Sequence, residues 1–274
     1  MIYPQQERGH AQVADHYDEL DGIYRALWGE HVHHGYWQTG REAAGEAVAA
    51  LSDLVGARLG FGPGDRLVDI GCGYGATARR FADRGAIVTG FTLSKAQRDA
   101  ATPHPGVTLH VRDWLANGHD PAAFAGGYAI ESSEHMRDKP LFFTEARRVL
   151  RPGARLVICA WLADEQATRW QRQHLLEPIC DEGSLPSMGT AAEYRAMAEQ
   201  AGFACVAYED ISKAVSRTWT ICMRRLIRAV FRDAAIRKTA LTARNRRFAL
   251  SVPRLIMAYR TGAMRYGVFT LRAR

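Results

Sequence analysis

From Arg66 onward, short apolar runs alternate with segments whose apolar residues recur every three or four positions. The runs predict strands at 66–70, 86–91, 107–111, 127–131 and 154–161, and the spaced segments predict helices at 75–84, 94–101 and 139–150. Ahead of them Val48, Leu51, Val55 and Leu59 predict a helix with one buried stripe, ended by Gly60, Gly62, Pro63 and Gly64. Strand–helix alternation implies a mainly parallel sheet with right-handed crossovers, whose ligands sit at the carboxyl ends of the strands. Asp69, Thr92, Asp113 and Glu131, each at or just past a strand end, are therefore expected to line one crevice. Beyond Trp161 the pattern changes: an irregular or helical stretch at 162–190, a helix at 191–201, strands at 204–211 and 265–272. The block from about 217 to 260, with Trp219, Met223, Leu226, Val230 and Phe231 as apolar positions, is expected to form a helical cap over the crevice together with 162–190. The segment from Ala11 to Trp37, rich in aromatics and histidine, is expected to give one or two short helices.

The chemistry concentrates in Val68-Asp69-Ile70-Gly71-Cys72-Gly73-Tyr74-Gly75-Ala76-Thr77. Glycines at alternate positions let a backbone approach a ligand closely, and the following helix start attracts oxygen-bearing groups. A carboxylate at the lip of the strand suits a cationic amine better than a phosphate, so the turn reads as a cradle for S-adenosylmethionine (SAM). Gly71-x-Gly73-x-x-Ala76 also fits a dinucleotide fingerprint. That reading wants an acid at the end of the second strand to hold a ribose, and Thr92-Leu93-Ser94 stands there instead.

Composition narrows the setting. The 274 residues suit one large α/β domain or one domain with an inserted cap. Apolar runs are too short to span a bilayer, and the first residues read as lacking a secretory core. Cys72, Cys159, Cys180, Cys205 and Cys222 are scattered, odd in number and without metal-site spacing, as expected of reduced thiols in a cytoplasmic protein. Cys72 reads as a small residue that fits the turn rather than as a nucleophile. The net charge of +7 hides an asymmetry: residues 224–274 carry +13, the remainder −6. Such a basic block is either a solvated helical face or a surface for an anionic membrane, acidic substrate or nucleic acid.

The glycine turn, Gly90-Phe91-Thr92-Leu93-Ser94 and Glu131-Ser132-Ser133-Glu134-His135-Met136 resemble class I SAM-dependent methyltransferases. Within that class the chain is most similar to the γ-tocopherol C-methyltransferase-like small-molecule enzymes. Tyr17-Asp18-Glu19, Trp28-Gly29-Glu30-His31-Val32-His33-His34-Gly35-Tyr36-Trp37 and Met257 to Gly267 carry that similarity, from about residue 11 to the end. More distantly, the layout resembles cyclopropane fatty acid synthases. The resemblance implies an α/β Rossmann-like sheet of seven strands with the last antiparallel, a helical N-terminal lid (1–60), a SAM-binding core (61–161) and a remainder (162–274) that inserts a helical cap before the last strand. It implies that Asp69, Gly71 and Gly73 hold the methionine part of SAM, with Cys72 and Glu131 also in the cofactor shell. Thr92, Leu93 and Gln97 should lie near the ribose, and Asp113 and Trp114 should flank the adenine. Tyr17, His33 and His34 should close over the cofactor. Phe124-Ala125-Gly126-Gly127-Tyr128 replaces the family's usual Phe-Asp entry to strand four, so a local change is expected there.

Methyl transfer from a sulfonium needs positioning and a dry site, and a carbon or phenol nucleophile also gains from a base. His135 and Glu134 are the candidates, each against a reading in which it only supports its neighbours. His31, His33 and His34 lack zinc-site spacing, so no metal is expected. Tyr36, Trp161, Trp219 and Met223 are candidates for the acceptor wall, against plain packing. The reading is methyl transfer to a small, largely apolar acceptor, for which the arginine-rich cap hints at an anionic group. C-methylation is favoured over O- or N-, with S-adenosylhomocysteine (SAH) as product. The competing classes are a cyclopropane-synthase-like enzyme at a membrane surface, a nucleic-acid methyltransferase, and a SAM fold without catalysis. The nucleic-acid reading lacks the Asn/Asp-Pro-Pro-Tyr motif after strand four and any aromatic-interleaved basic surface. No nucleic-acid partner is therefore expected. Peripheral membrane contact and exchange of the N-terminal arm between subunits are both compatible with the chain.

Overall fold

The computed structural model describes residues 1–4, 31–232 and 247–274, with backbone alone for 247–250. Its centre is a seven-stranded sheet in the order β3-β2-β1-β4-β5-β7-β6. The strands are β1 (Arg66–Ile70), β2 (Ile87–Thr92), β3 (Val107–Val111), β4 (Phe124–Ile130), β5 (Leu150–Ala163), β6 (Phe203–Asp210) and β7 (Met264–Ala273). Strands β1 to β5 run parallel, and β7 runs antiparallel to both β5 and β6. This is the Rossmann-like sheet with one reversed strand that the motifs implied.

Helix α1 (Ala44–Leu59) buries Leu51, Val55 and Leu59 against one sheet face, where they meet Phe81 of α2 (Ala76–Ala82), Tyr128 and Tyr266. Each such aliphatic side chain contributes about 2 kcal/mol by leaving water. The opposite face is covered by α4 (Lys139–Val149) and α6 (Ala191–Gln200), through Phe142, Phe143, Tyr194 and Met197. Helix α3 (Lys95–Ala100) follows β2 and is capped by the Ser94 side chain, which accepts from the Gln97 amide.

A second core lies beyond Trp161. It joins a helical run over 169–182 (α5), α8 (Arg217–Arg232) and α9 (Arg247–Thr261) around Leu176, Ile179, Trp219, Leu226, Val252 and Leu255. The run contains a π-turn at Arg172–Leu176, just ahead of Pro178. Pro178 has no N–H for the carbonyl of His174, and Arg254 Nε donates to that oxygen instead, at 3.2 Å. The short α7 (Ser212–Val215) links β6 to this unit.

The sequence-based strand limits for β1 and β3 match, and β2, β6 and β7 differ by one residue at either end. Strand β4 starts three residues earlier than expected, with a register shift against β5 between Phe124 and Gly126. The shift falls within the altered strand-four entry. Two expectations on 5–30, a helical lid and the role of Tyr17, lie outside the described residues.

Lys139 ties the two cores together. Its buried Nζ donates to the carbonyls of Glu134, Met136 and Ser187 and to Ser187 Oγ, at 2.8–3.2 Å. Burial pulls the ammonium down to about 8, with the Glu134 charge opposing that shift, so it stays charged at neutral pH. Lys139→Met leaves three buried carbonyls without their donor. The variant is expected to unfold in urea with about 3 kcal/mol less stability, and an unchanged midpoint would show that these bonds count for little.

Candidate active site

The turn after β1 is shaped by a close approach. Gly71 has φ +84°, and a Cβ there would stand 2.2 Å from Ser132 Cβ, whose hydroxyl donates to the Ile70 carbonyl. The Gly71 and Cys72 amides donate to the Phe91 carbonyl at 2.9 and 2.8 Å, drawing the turn over the end of β2. Two linked compartments open there, sharing Val32, Gly71, Gly73 and Ile130.

The first is lined by Thr92, Leu93, Gln97, Arg112, Asp113, Trp114, Glu131, His135 and Met136. Thr92 Oγ1 donates to Gln97 Oε1 (2.9 Å), and Asp113 Oδ1 accepts from the Leu115 amide (2.9 Å). Trp114 is buried edge-on against Phe91. The second compartment is lined by Asp69, Cys72, Thr77, His31 and His33. Burial pushes the Cys72 thiol well up, so it is no thiolate nucleophile.

Asp69 is the electrostatic feature of the second compartment. It is 3 % exposed, accepts a 3.0 Å bond from Tyr128 Oη, and pairs with no cationic side chain among the described residues. Burial pushes its carboxyl up to about 7, with the Tyr128 bond opposing. A carboxyl raised in this way withdraws stability as pH rises from about 4 to about 7. A bound cation would reverse that cost.

Glu131 is the opposite case. It sits directly after β4 with φ +53°, a conformation that a residue with a side chain adopts only when its surroundings enforce it. Its carboxylate accepts from the His34 amide (2.7 Å), His34 Nδ1 (2.9 Å), Trp161 Nε1 (3.0 Å) and Tyr266 Oη (2.8 Å). Burial opposes the charge, but the His34 charge and bonds, with His33, outweigh it and hold Glu131 at about 2. An acid held low contributes stability above its ordinary range and loses it as pH falls toward 2.

Through His34 this carboxylate anchors a strap. Gly35 N donates to Thr218 Oγ1 (3.1 Å), Tyr36 N to the Ala47 carbonyl (2.7 Å) and Trp37 N to the Ala214 carbonyl (2.9 Å). A Cβ on Gly35 would meet the Trp37 ring at 2.6 Å and Ala47 Cβ at 2.9 Å, so only glycine lets the strap pass. Val32 and His33 thereby reach the cofactor compartments.

Several expectations need correction. His34 lines neither compartment: its ring is packed among Trp161, Trp219, Tyr259 and Tyr266 at 5.1–5.9 Å and turned to Glu131. Trp161 and Trp219 are walls of that cage, Met223 packs in the second core, and Tyr36 packs beside α1, so none of them lines the crevice. Glu134 lines neither compartment either. The short turn Ser133–His135 swings it inward, where it accepts from the Trp161 amide and from Ser133 Oγ, and burial raises it to about 7. No described residue of 162–190 or 212–263, the stretches expected to form a cap, lines either compartment. Sequence reasoning missed Val32, Arg112 and Met136, which adjoin residues that it did single out.

The sequence profile of mycolic acid cyclopropane synthetases matches residues 4–248. The chain belongs to that family. A probable chloroplastic tocopherol O-methyltransferase of Oryza sativa subsp. japonica is 29% identical over 95% of this chain and 77% of its own length. The 27-O-demethylrifamycin SV methyltransferase of Amycolatopsis mediterranei is 30% identical, covering 78% of this chain and 81% of its own. Among solved structures, the cyclopropane synthase MmaA2 from Mycobacterium tuberculosis aligns with a TM-score of 0.84 at 23% identity, over 98% of this chain and 99% of that one. This member of the family is a SAM-dependent methyltransferase of small molecules.

The crevice suits SAM: the buried Asp69 carboxyl, with no cationic partner among the described residues, lines one compartment, and Trp114 lines the other. SAH affinity is expected to rise with pH between about 5.5 and 7, by up to about tenfold per unit, because Asp69 must release its proton to solvent to pair with the ligand's ammonium group. His31 and His135 are held near 3 and 4 and Glu131 near 2, outside that window, and Glu134, also raised to about 7, lines neither compartment. Asp69→Asn should bind SAH far more weakly and without the pH slope. Calorimetry across this range checks it, and a flat wild-type profile contradicts it.

Proposed function

We propose that this methyltransferase acts at a nucleophilic carbon of a small, largely apolar acceptor, of the phenol or hydroquinone kind. The observation that carries the reading is His135. It lines the first compartment, and burial, aided by the Lys139 charge, pulls it down to about 4. A base so weak is poorly matched to an ordinary phenol hydroxyl. It is well matched to the acidic proton of a ring carbon that has just gained a methyl group and a positive charge.

In this reading Asp69 holds the amine of SAM, and His33 and Thr77 neighbour its amino-acid end. Thr92, Leu93 and Gln97 adjoin the ribose, and Asp113 and Trp114 the adenine. SAM supplies an electrophilic methyl group on a sulfonium. The permanently charged Glu131 beside the first compartment favours positive charge there. The proton displaced from the acceptor carbon passes to a ring nitrogen of His135 and then to water. The rice relative's name favours transfer to oxygen as a second reading, and the family's name favours a bridging methylene.

The test uses SAM with a deuterated methyl group and a substituted hydroquinone. Carbon transfer leaves all three deuterons on a ring methyl, oxygen transfer leaves them on a methyl ether, and a bridging methylene retains two. His135→Ala is expected to lower turnover about 100-fold with SAH affinity unchanged. Loss of SAH affinity in step with turnover would remove His135 from the role of proton acceptor.

A further inference from the structure

The strongest unassigned surface is on α8 and α9. Between these helices and the start of β7 lies a groove lined by Lys213, Arg217, Arg224, Arg260 and Arg265. Two of the five cations are engaged: Arg265 with Asp164 and Asp210, and Arg217 with the Gly40 carbonyl and the Trp37 ring. Lys213, Arg224 and Arg260 are exposed and pair with no acid among the described residues.

The groove does not stop at its own edge. On α8 it is lined by Arg217, Thr220, Ile221 and Arg224, at three- and four-residue spacing. The same stripe continues one turn and two turns on through Ile227, Arg228 and Phe231. Ile227 is 48% exposed and Phe231 81%. The opposite face of α8, with Trp219, Cys222 and Leu226, is the one that packs into the second core. The helix therefore shows solvent a face on which arginines alternate with large apolar side chains, and it contains no acid at all. Met257 of α9, 45% exposed, follows the groove residue Ile256.

A surface helix bathed in water normally exposes mixed charges and few large apolar groups. Cations that hold phosphates, interleaved with side chains that enter the acyl boundary, are the features of a helix lying in a lipid interface. We propose that the exposed stripe of α8, with the basic groove beside it, docks this enzyme on an anionic lipid bilayer. Lipid phosphates occupy the groove at Lys213, Arg224 and Arg260, and Ile227 and Phe231 enter below the headgroups. The basic excess of residues 224–274 adds long-range attraction to the same leaflet. The inference is independent of which atom is methylated.

The test is co-sedimentation of the whole protein with vesicles of phosphatidylcholine alone or doped with phosphatidylglycerol. Binding is expected only to the doped vesicles, and it should fall at least about tenfold between about 0.1 and 0.5 M salt. Arg224→Glu with Arg228→Glu should remove it. Phe231→Ser should weaken it even at low salt, which a purely ionic contact would not do. SAH affinity measured on each variant shows that the fold is intact. Equal binding to neutral vesicles, no binding to either kind, or unchanged binding by the variants overturns the proposal. So does complete displacement by millimolar inorganic phosphate, which marks a free-phosphate site, or retention by a DNA duplex without vesicle binding.

Discussion

Four donors on one buried carboxylate organise this protein. Glu131 directly follows the central strand β4, and its oxygens gather His34 from the N-terminal strap, Trp161 from the end of β5 and Tyr266 from β7. A charge at that depth persists only because its acceptor sites are filled with good geometry. The strain at its own backbone is held in place by the same bonds. Because Val32 and His33 are carried on the strap, the shape of the cofactor compartments depends on this carboxylate although it is only one of their lining groups.

The site then divides its electrostatics between two acids. Glu131 has its donors built in and stays charged. Asp69 has one hydroxyl donor and no cation among the described residues, and its burial withdraws stability until a ligand supplies the charge. The first is an architectural anion and the second a ligand-binding one. Glu134, also raised, faces neither compartment and belongs with Lys139 and Ser133 to the inward side of the same turn.

What was legible in the sequence is what is local. Most strand limits, the glycine turn, Thr92 and Asp113 each follow from a few neighbouring residues, because parallel strands deliver their carboxyl ends to one edge whatever the loops do, whereas Gln97 and Trp114 came from the family resemblance. The pairing of His34 with Glu131 spans 97 residues, and that of Tyr266 with Glu131 spans 135. No spacing announces such a bond. His34 and Glu131 could each be assigned to the cofactor singly, and only the fold turns His34 away from it. Glu134 and His135 show the same limit at short range. Being adjacent, they read alike, yet one short turn buries the first and presents the second to the crevice. The tryptophans at 161 and 219 read as acceptor walls because aromatic residues near a crevice can be either, and here His34 claims both.

The most direct measurement of the central claim is amide hydrogen exchange across residues 31–37 in the wild type and in Glu131→Gln, each with and without SAH. The substitution keeps the shape of the side chain but removes its charge and one acceptor oxygen. If the carboxylate holds the strap, these amides exchange at least about tenfold faster in the variant, one hydrogen bond's worth, and SAH binds correspondingly more weakly. Identical protection and identical SAH affinity in the two proteins would contradict the account.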